Sequence, residues 1–184
     1  GIKLCDSLRI QENFDAISLM PTNLYGPGDN YSLKNSHVLA AFIRKFYEAK
    51  KSNSDTVTCW GSGNPLREFL HVDDLSEAVR FVLEKWDPKE NSFLDEDNNE
   101  IFYLNVGTGK DITIKELAEK ISQKMNFKGQ IVWDKSKPDG TPKKQLDISK
   151  LKELGWQSQI DLNYGLDLTI KSFEKELINK QCRL

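Results

Sequence analysis

The sequence predicts an α/β fold. Three observations carry that expectation: short apolar runs of strand type at 16–20, 101–106 and 130–133, amphipathic helical patterns alternating with them, and turn formers at strand ends. Residues 16–20, Ala-Ile-Ser-Leu-Met, are almost wholly apolar, the pattern of a parallel strand covered on both faces. A chain of 184 residues can bury one sizeable core, and its 38% apolar and 29% charged residues are ordinary for a soluble globular protein. The net charge of -2 argues against non-specific binding to nucleic acid or membrane, which needs clustered basic surface. Three widely spaced cysteines (Cys5, Cys59, Cys182) suggest neither a disulfide framework nor a metal site. No apolar run is long enough to span a bilayer and no signal peptide opens the chain, so a cytoplasmic location is expected.

Residues 1–13 read as the tail of a helix, with Leu4 and Leu8 on one face and no cap before it. The chain is therefore expected to be a piece of a longer protein. After the 16–20 strand comes Pro21-Thr22-Asn23-Leu24-Tyr25-Gly26-Pro27-Gly28, a loop that is either a ligand-site wall or a plain connection. Asn35-Ser36 then caps a helix with His37 in its first turn and Val38, Leu39, Phe42, Ile43, Phe46 and Tyr47 on its buried face. His37 at a positive helix end is a tunable proton donor, a ligand contact or simply a helix-start residue.

The stretch 60–74, Trp-Gly-Ser-Gly-Asn-Pro-Leu-Arg-Glu-Phe-Leu-His-Val-Asp-Asp, follows a strand-like run at 56–59. It places one indole (Trp60) and one guanidinium (Arg67) on a rigid loop between anchored elements. A ring can stack a base or sugar and an Arg fork can grip a phosphate; a core Trp beside a surface Arg is the plainer alternative. Asp73 and Asp74, with Glu77, are expected to cap a helix whose apolar face is Leu75, Ala78, Val79, Val82, Leu83 and Trp86. The acidic stretch 87–100 reads as a solvated loop. Gly107-Thr108-Gly109 follows the 101–106 strand, and Thr113 with Glu116 forms a capping box before Ile114, Leu117, Ala118, Ile121 and Met125. The 130–133 strand runs into a basic turn at 137–144, a short helix ends at Gly155, and Leu166, Ile170, Phe173 and Leu177 mark the last helix.

Several chemistries are weak or missing. Neither Gly107-Thr108-Gly109 nor Gly61-Ser62-Gly63 has the third glycine and later acid of a dinucleotide loop. Tyr47 and Lys51 have the spacing of a Tyr-x-x-x-Lys relay, but Tyr47 belongs to the apolar helix face. The two histidines are not spaced as a metal pair, and no nucleophile triad is visible.

Taken together, Met20-Pro-Thr-Asn-Leu-Tyr-Gly-Pro, Asn-Ser-His37-Val, Trp60-Gly-Ser-Gly-x-Pro-x-Arg67-Glu-Phe-Leu-His-Val-Asp-Asp, Asn105-Val-Gly-Thr-Gly and Lys137-Pro-Asp-Gly-Thr-Pro resemble the GDP-L-fucose synthase family of extended short-chain dehydrogenase/reductases, over nearly the whole chain. The resemblance implies the carboxyl-terminal remnant of an NADP-binding Rossmann domain plus a smaller α/β substrate-binding domain. Residues 1–30 would end the Rossmann domain; 31–184 would be mainly the substrate domain, with about 68–86 and 101–106 returning to the first. It also implies 3,5-epimerisation of GDP-4-keto-6-deoxy-D-mannose followed by NADPH-dependent reduction at C4, in a homodimer. Carried over by position, Pro21, Thr22, Asn23 and Leu24 are part of the cofactor wall, and His37 is the epimerisation acid and lies near the cofactor. Lys45, Trp60, Arg67 and Asp139 are GDP-sugar contacts, Lys45 standing where the family often has Arg and so lacking the bidentate fork.

Epimerisation needs a base on one face of the carbon and an acid on the other, which suits a histidine beside bound phosphates. Tight binding of the inert nucleotide end holds the sugar through successive proton transfers. The family's Gly-rich loop, catalytic Ser and Cys, and Tyr-x-x-x-Lys pair would precede Gly1. The chain alone is therefore expected to bind no NADP(H) and to be inactive. The rival expectations are another extended-family 4-epimerase or 4,6-dehydratase, or a non-catalytic binding or scaffold relative.

Overall fold

The computed structural model describes residues 1–87, 89–90 and 92–184. In chain order the elements are α1 (Ile2–Glu12), β1 (Ser18–Pro21), β2 (Asn23–Tyr25), α2 (Val38–Lys51), β3 (Thr56–Trp60), β4 (Leu66–His71) and α3 (Val72–Lys85). There follow β5 (Phe93–Leu94), β6 (Glu100–Ile101), β7 (Tyr103–Val106), β8 (Asp111–Thr113), α4 (Ile114–Lys124), β9 (Gln130–Asp134), β10 (Lys143–Lys144), α5 (Ser149–Glu153) and α6 (Leu162–Ile178). The α/β expectation is met. Strand β1 pairs in parallel with β7, and β3 in parallel with β9. Strand β4 is the junction, parallel to β2 and β10 and antiparallel to β8.

Apolar side chains gather in two clusters. One joins Leu70, Ala78, Val82, Trp86, Leu104, Val106, Leu151 and Trp156 with Ile17, Leu19 and Leu24 at its edge. The other is built on the predicted helix faces: Leu39, Phe42, Ile43 and Phe46 from α2, Leu117, Ala118 and Ile121 from α4, and Leu166, Ile170 and Phe173 from α6. The α4 capping box forms as expected, with Thr113 Oγ accepting from the Glu116 amide at 3.0 Å and Glu116 accepting from the Thr113 amide at 2.8 Å. Tyr47 stands edge-on to Phe173 at 5.3 Å, so its spacing to Lys51 is a packing coincidence.

Three local expectations are corrected. Strand β1 is not buried along its length: Ser18 and Leu19 are half-buried while Met20 is 40% exposed, and among the described residues β7 is its one ladder partner. Asp73 and Asp74 do not cap α3. Because β4 runs straight into the helix, His71 is the last extended residue, and its Nδ1 accepts from the Asp73 amide at 3.3 Å. Asp74 is buried within the first turn and accepts from the Gln159 and Ile160 amides, each at 3.0 Å. Val79 and Leu83 point to solvent, so the apolar face of α3 is narrower than its pattern. In the acidic stretch, β5 and β6 form a small hairpin and Asp95 accepts from the Asp97 and Asn99 amides; positions 88 and 91 lie outside the described residues.

Alternation along β4 sends Arg67 and Phe69 to one face and Glu68 to the other. Glu68 is fully buried. Its Oε1 accepts from the Thr108 and Gly109 amides at 2.6 and 2.7 Å, and its Oε2 from the Leu146 amide at 3.0 Å. Its carbonyl accepts from Asn23 Nδ2 at 2.8 Å and Thr22 Oγ1 at 3.3 Å. A Cβ at position 107 would overlap the carboxylate, so glycine there is a steric requirement. Glu68→Gln turns one oxygen into an N–H donor facing donors, and urea unfolding of the chain is expected to show a loss of about 2–4 kcal/mol.

Candidate functional site

Trp60 ends β3 with its indole 63% exposed, far more than a core residue allows. Lys45, from the middle of α2, donates to the Thr58 carbonyl at 2.9 Å, which sets its ammonium 5.5 Å from the indole centroid. Lys137 brings a second ammonium to 5.8 Å from the same ring. Beyond Trp60 the chain turns at Gly61, where φ is +82° and a Cβ would overlap Asp139. The Ser62 amide and hydroxyl donate to the two Asp139 oxygens at 2.6 and 2.7 Å. Those donations, the amide's first, hold the Asp139 carboxyl below its ordinary value. Lys45, Trp60 and Asp139 thus share one wall, joined by Lys137, which the sequence had not singled out.

Arg67 is tied to the same wall but faces elsewhere. Its Nη1 donates to the Leu66 and Thr141 carbonyls at 2.8 and 2.7 Å, linking β4 to the 137–144 turn. The side chain lines a cavity of about 420 Å³ that neither Trp60 nor His37 reaches. His37 is exposed and is itself the N-cap of α2, in extended conformation with no side-chain cap bond. It lies eight residues before Lys45, about 12 Å along the helix axis. The expected helix start at Asn35-Ser36 is corrected accordingly; Ser36 Oγ is buried without a partner. His37 lies close enough to Asp29 to favour that group's ionisation, against burial, which raises its pKa. Only Nη1 of Arg67 is committed to those carbonyls, and the Lys45 ammonium meets the indole from the middle of α2 while His37 stands at its start.

In the Pro21–Leu24 segment, Pro21 is exposed, whereas Thr22 and Asn23 commit their side chains to the Glu68 carbonyl and Leu24 packs at the edge of an apolar cluster. Of this segment only Pro21 is left exposed toward a neighbouring group. A cofactor diphosphate needs free amides, and the Gly-x-Gly turns do not offer them. The Thr108 and Gly109 amides belong to Glu68, and the Ser62 amide to Asp139. The residues present therefore fit a side contact to such a cofactor, not its diphosphate cradle. Among the described residues no His, Cys, Asp or Glu cluster is arranged to hold a metal ion, and no helix is long and apolar enough to cross a membrane.

Residues 1–94 match the NAD dependent epimerase/dehydratase family. The chain belongs to that family. It is 51% identical to "Probable GDP-L-fucose synthase 1" of Oryza sativa subsp. japonica over 97% of this chain and 51% of that protein. It is 48% identical to the GDP-L-fucose synthase of Escherichia coli (strain K12) over 94% of this chain and 53% of that protein. The chain thus spans about half the length of the curated relatives it matches. Among solved structures, a GDP-6-OMe-4-keto-L-xylo-heptose reductase from Campylobacter jejuni superposes with a TM-score of 0.83 at 30% identity, covering 95% of this chain and 58% of that one. A GDP-mannoheptose C4 reductase from the same organism, solved with NADP bound, gives 0.78 at 31% identity, covering 94% and 54%. Both are Rossmann-type relatives, in keeping with the α/β architecture here.

Two residues of this region were given no role by the sequence. Glu68 carried a weak signal, a carboxylate on the strand face opposite Arg67 and Phe69, where burial demands facing donors. Lys137 opened one of the motifs that carry the resemblance but had no role of its own, because its place beside Trp60 depends on the parallel pairing of β3 with β9. A carboxyl whose folded pKa is depressed stabilises the fold above its unfolded value and loses that contribution as pH falls through the folded one. The thermal midpoints of the parent chain and Asp139→Asn are therefore expected to differ at pH 7 and to converge as pH drops below 3.8, the ordinary carboxyl value, in melts taken from pH 7 to pH 2.

Proposed function

We propose that this chain is the substrate-recognising part of an enzyme that makes GDP-L-fucose from GDP-4-keto-6-deoxy-D-mannose. In the whole protein the sugar is epimerised at C3 and C5 and its C4 ketone is reduced by NADPH. The observation that carries this is identity of about half the residues to named GDP-L-fucose synthases along almost the whole chain. The geometry of the Trp60 wall is compatible with it. An open indole offers a packing surface for the nucleotide-sugar, Lys45 and Lys137 supply charge for its phosphates, and Asp139 accepts a hydroxyl hydrogen bond. Arg67, braced by Thr141, closes the phosphate end. His37, at the uncapped start of α2, donates the proton on the face opposite an upstream Cys base, steadied by the phosphates bound nearby.

Residues 1–30, 68–86 and 101–106 belong to the Rossmann domain in this proposal and most of the remainder to the substrate domain; one cluster joins Ile17, Leu19, Leu24, Leu70, Val82 and Leu104, while Tyr25 and Phe69 pack across the division in the other. Leu151 and Trp156 join the Rossmann-side cluster, although their segment lies late in the chain. Pro21, Thr22, Asn23, Leu24 and His37 make the nicotinamide-side wall. The whole enzyme is a cytoplasmic homodimer in this proposal, and the present chain by itself neither retains NADPH nor turns over.

In the full-length enzyme, Arg67→Lys is expected to raise KM for the nucleotide-sugar about tenfold, because the bidentate fork is lost. His37→Gln is expected to lower kcat about a hundredfold or more, with NADPH affinity little changed. Steady-state NADPH oxidation with GDP-4-keto-6-deoxy-D-mannose reads both, and turnover of UDP-glucose in place of that substrate would transfer the assignment to a 4-epimerase. For the chain alone, titration of NADPH fluorescence is expected to show no saturable binding.

A further inference from the structure

The cavity behind Arg67 has a chemistry that the Trp60 wall does not explain. Its volume of about 420 Å³ lies between α4, α5, the start of α6 and the strand pair β4 and β8. Four cations line it: Arg67, Lys110, Lys120 and Lys152, against the single carboxylate of Asp161. This happens in a chain whose net charge is -2, so cations are concentrated here against the overall sign. Among the described residues none of the four is in a salt bridge, although other lysines find acids, as Lys124 does with Asp167 and Lys143 with Asp111. Arg67 reaches only carbonyl oxygens, and Lys120 only the Asn163 side-chain oxygen at 3.2 Å. The Lys152 ammonium lies beside the Gly109 turn, 3.8 Å from where a Cβ on Gly109 would stand. The turn amides cannot take up a ligand, since Glu68 holds them, so the side chains carry the charge recognition.

Glu116 lies near Lys120 and Asp147 near Lys152, but the cavity lining itself holds four cations against one carboxylate, and an anion among them offsets their mutual repulsion. Phe69 and Ile112 give the cavity an apolar floor, and Gln157 and Asn163 offer amides at its rim. Cationic walls over an apolar floor suit a small phosphorylated molecule better than a bare halide or a carboxylate peptide. We propose that this cavity is a binding site for a phosphate-bearing small molecule, held by Lys110, Lys120, Lys152 and the cavity face of Arg67. The same chemistry can arrive as the diphosphate of a nucleotide-sugar reaching past Arg67 or as a separate phosphorylated metabolite.

Calorimetric titration of the 184-residue chain with inorganic pyrophosphate, and separately with GDP, tests the site and its source. Lys120→Gln and Lys152→Gln are each expected to weaken pyrophosphate about fivefold, and the pair about twentyfold, with affinity falling as salt is raised. Lys120→Arg is expected to restore binding. If GDP weakens along with pyrophosphate in the double variant, the ligand is the nucleotide's diphosphate; if GDP keeps its affinity while pyrophosphate is lost, it is a separate phosphorylated molecule. A parent chain that binds no pyrophosphate at low salt, or a folded double variant that binds it within twofold of the parent, overturns the proposal. The nucleotide-sugar assignment fails separately, by GDP binding that is indifferent to Trp60→Ala and Asp139→Asn.

Discussion

A carboxylate shut away from water keeps its charge only where N–H donors surround it, and at Glu68 those donors come from distant parts of the chain. The Thr108–Gly109 turn and Leu146 bind its carboxylate, while Thr22 and Asn23 bind its carbonyl. One residue of β4 therefore sets the spacing between the Pro21–Leu24 segment, the glycine turn after β7 and the strand leading to α5. Arg67 and Phe69, its neighbours in the same strand, face the opposite side and inherit that placement. Asp74 repeats the device one element later, fixing residues 159 and 160 at the cavity wall.

The same economy governs the glycine turns. In a phosphate loop the amides after a strand stay free for the ligand. Here both Gly-x-Gly turns have amides bound by the protein's own acids, Glu68 in one case and Asp139 in the other. The cations left facing outward are side chains: two lysines flanking an exposed indole on one side, and an arginine with three lysines around a cavity on the other. Arg67, braced by the Leu66 and Thr141 carbonyls, is the residue through which these two regions connect.

The helices were legible because their cores repeat with the helical period: the buried faces of α2, α4 and α6 follow the apolar spacing. The Thr113 capping box was equally plain, since both partners lie within one turn. Of the residues that the family resemblance singled out, Lys45 and Trp60 stand side by side and Asp139 binds the turn after Trp60, whereas Arg67 lines the cavity and His37 begins α2. The misjudged caps at Asp73, Asp74 and Ser36 share a cause. A short acceptor near a helix start reads alike whether it turns back to the helix, faces another segment or is left buried.

The amino-acid sequence by itself determined the order of strands and helices, the faces that would be buried and the family to which the chain belongs, because these rest on local periodicity and contiguous motifs. Only the tertiary structure decided what Glu68 and Asp74 bind, that Lys137 stands beside Trp60, and that four cations meet behind Arg67. Each of those facts joins residues dozens of positions apart, and such partners are chosen by strand pairing and packing, which leave no periodic trace in the chain.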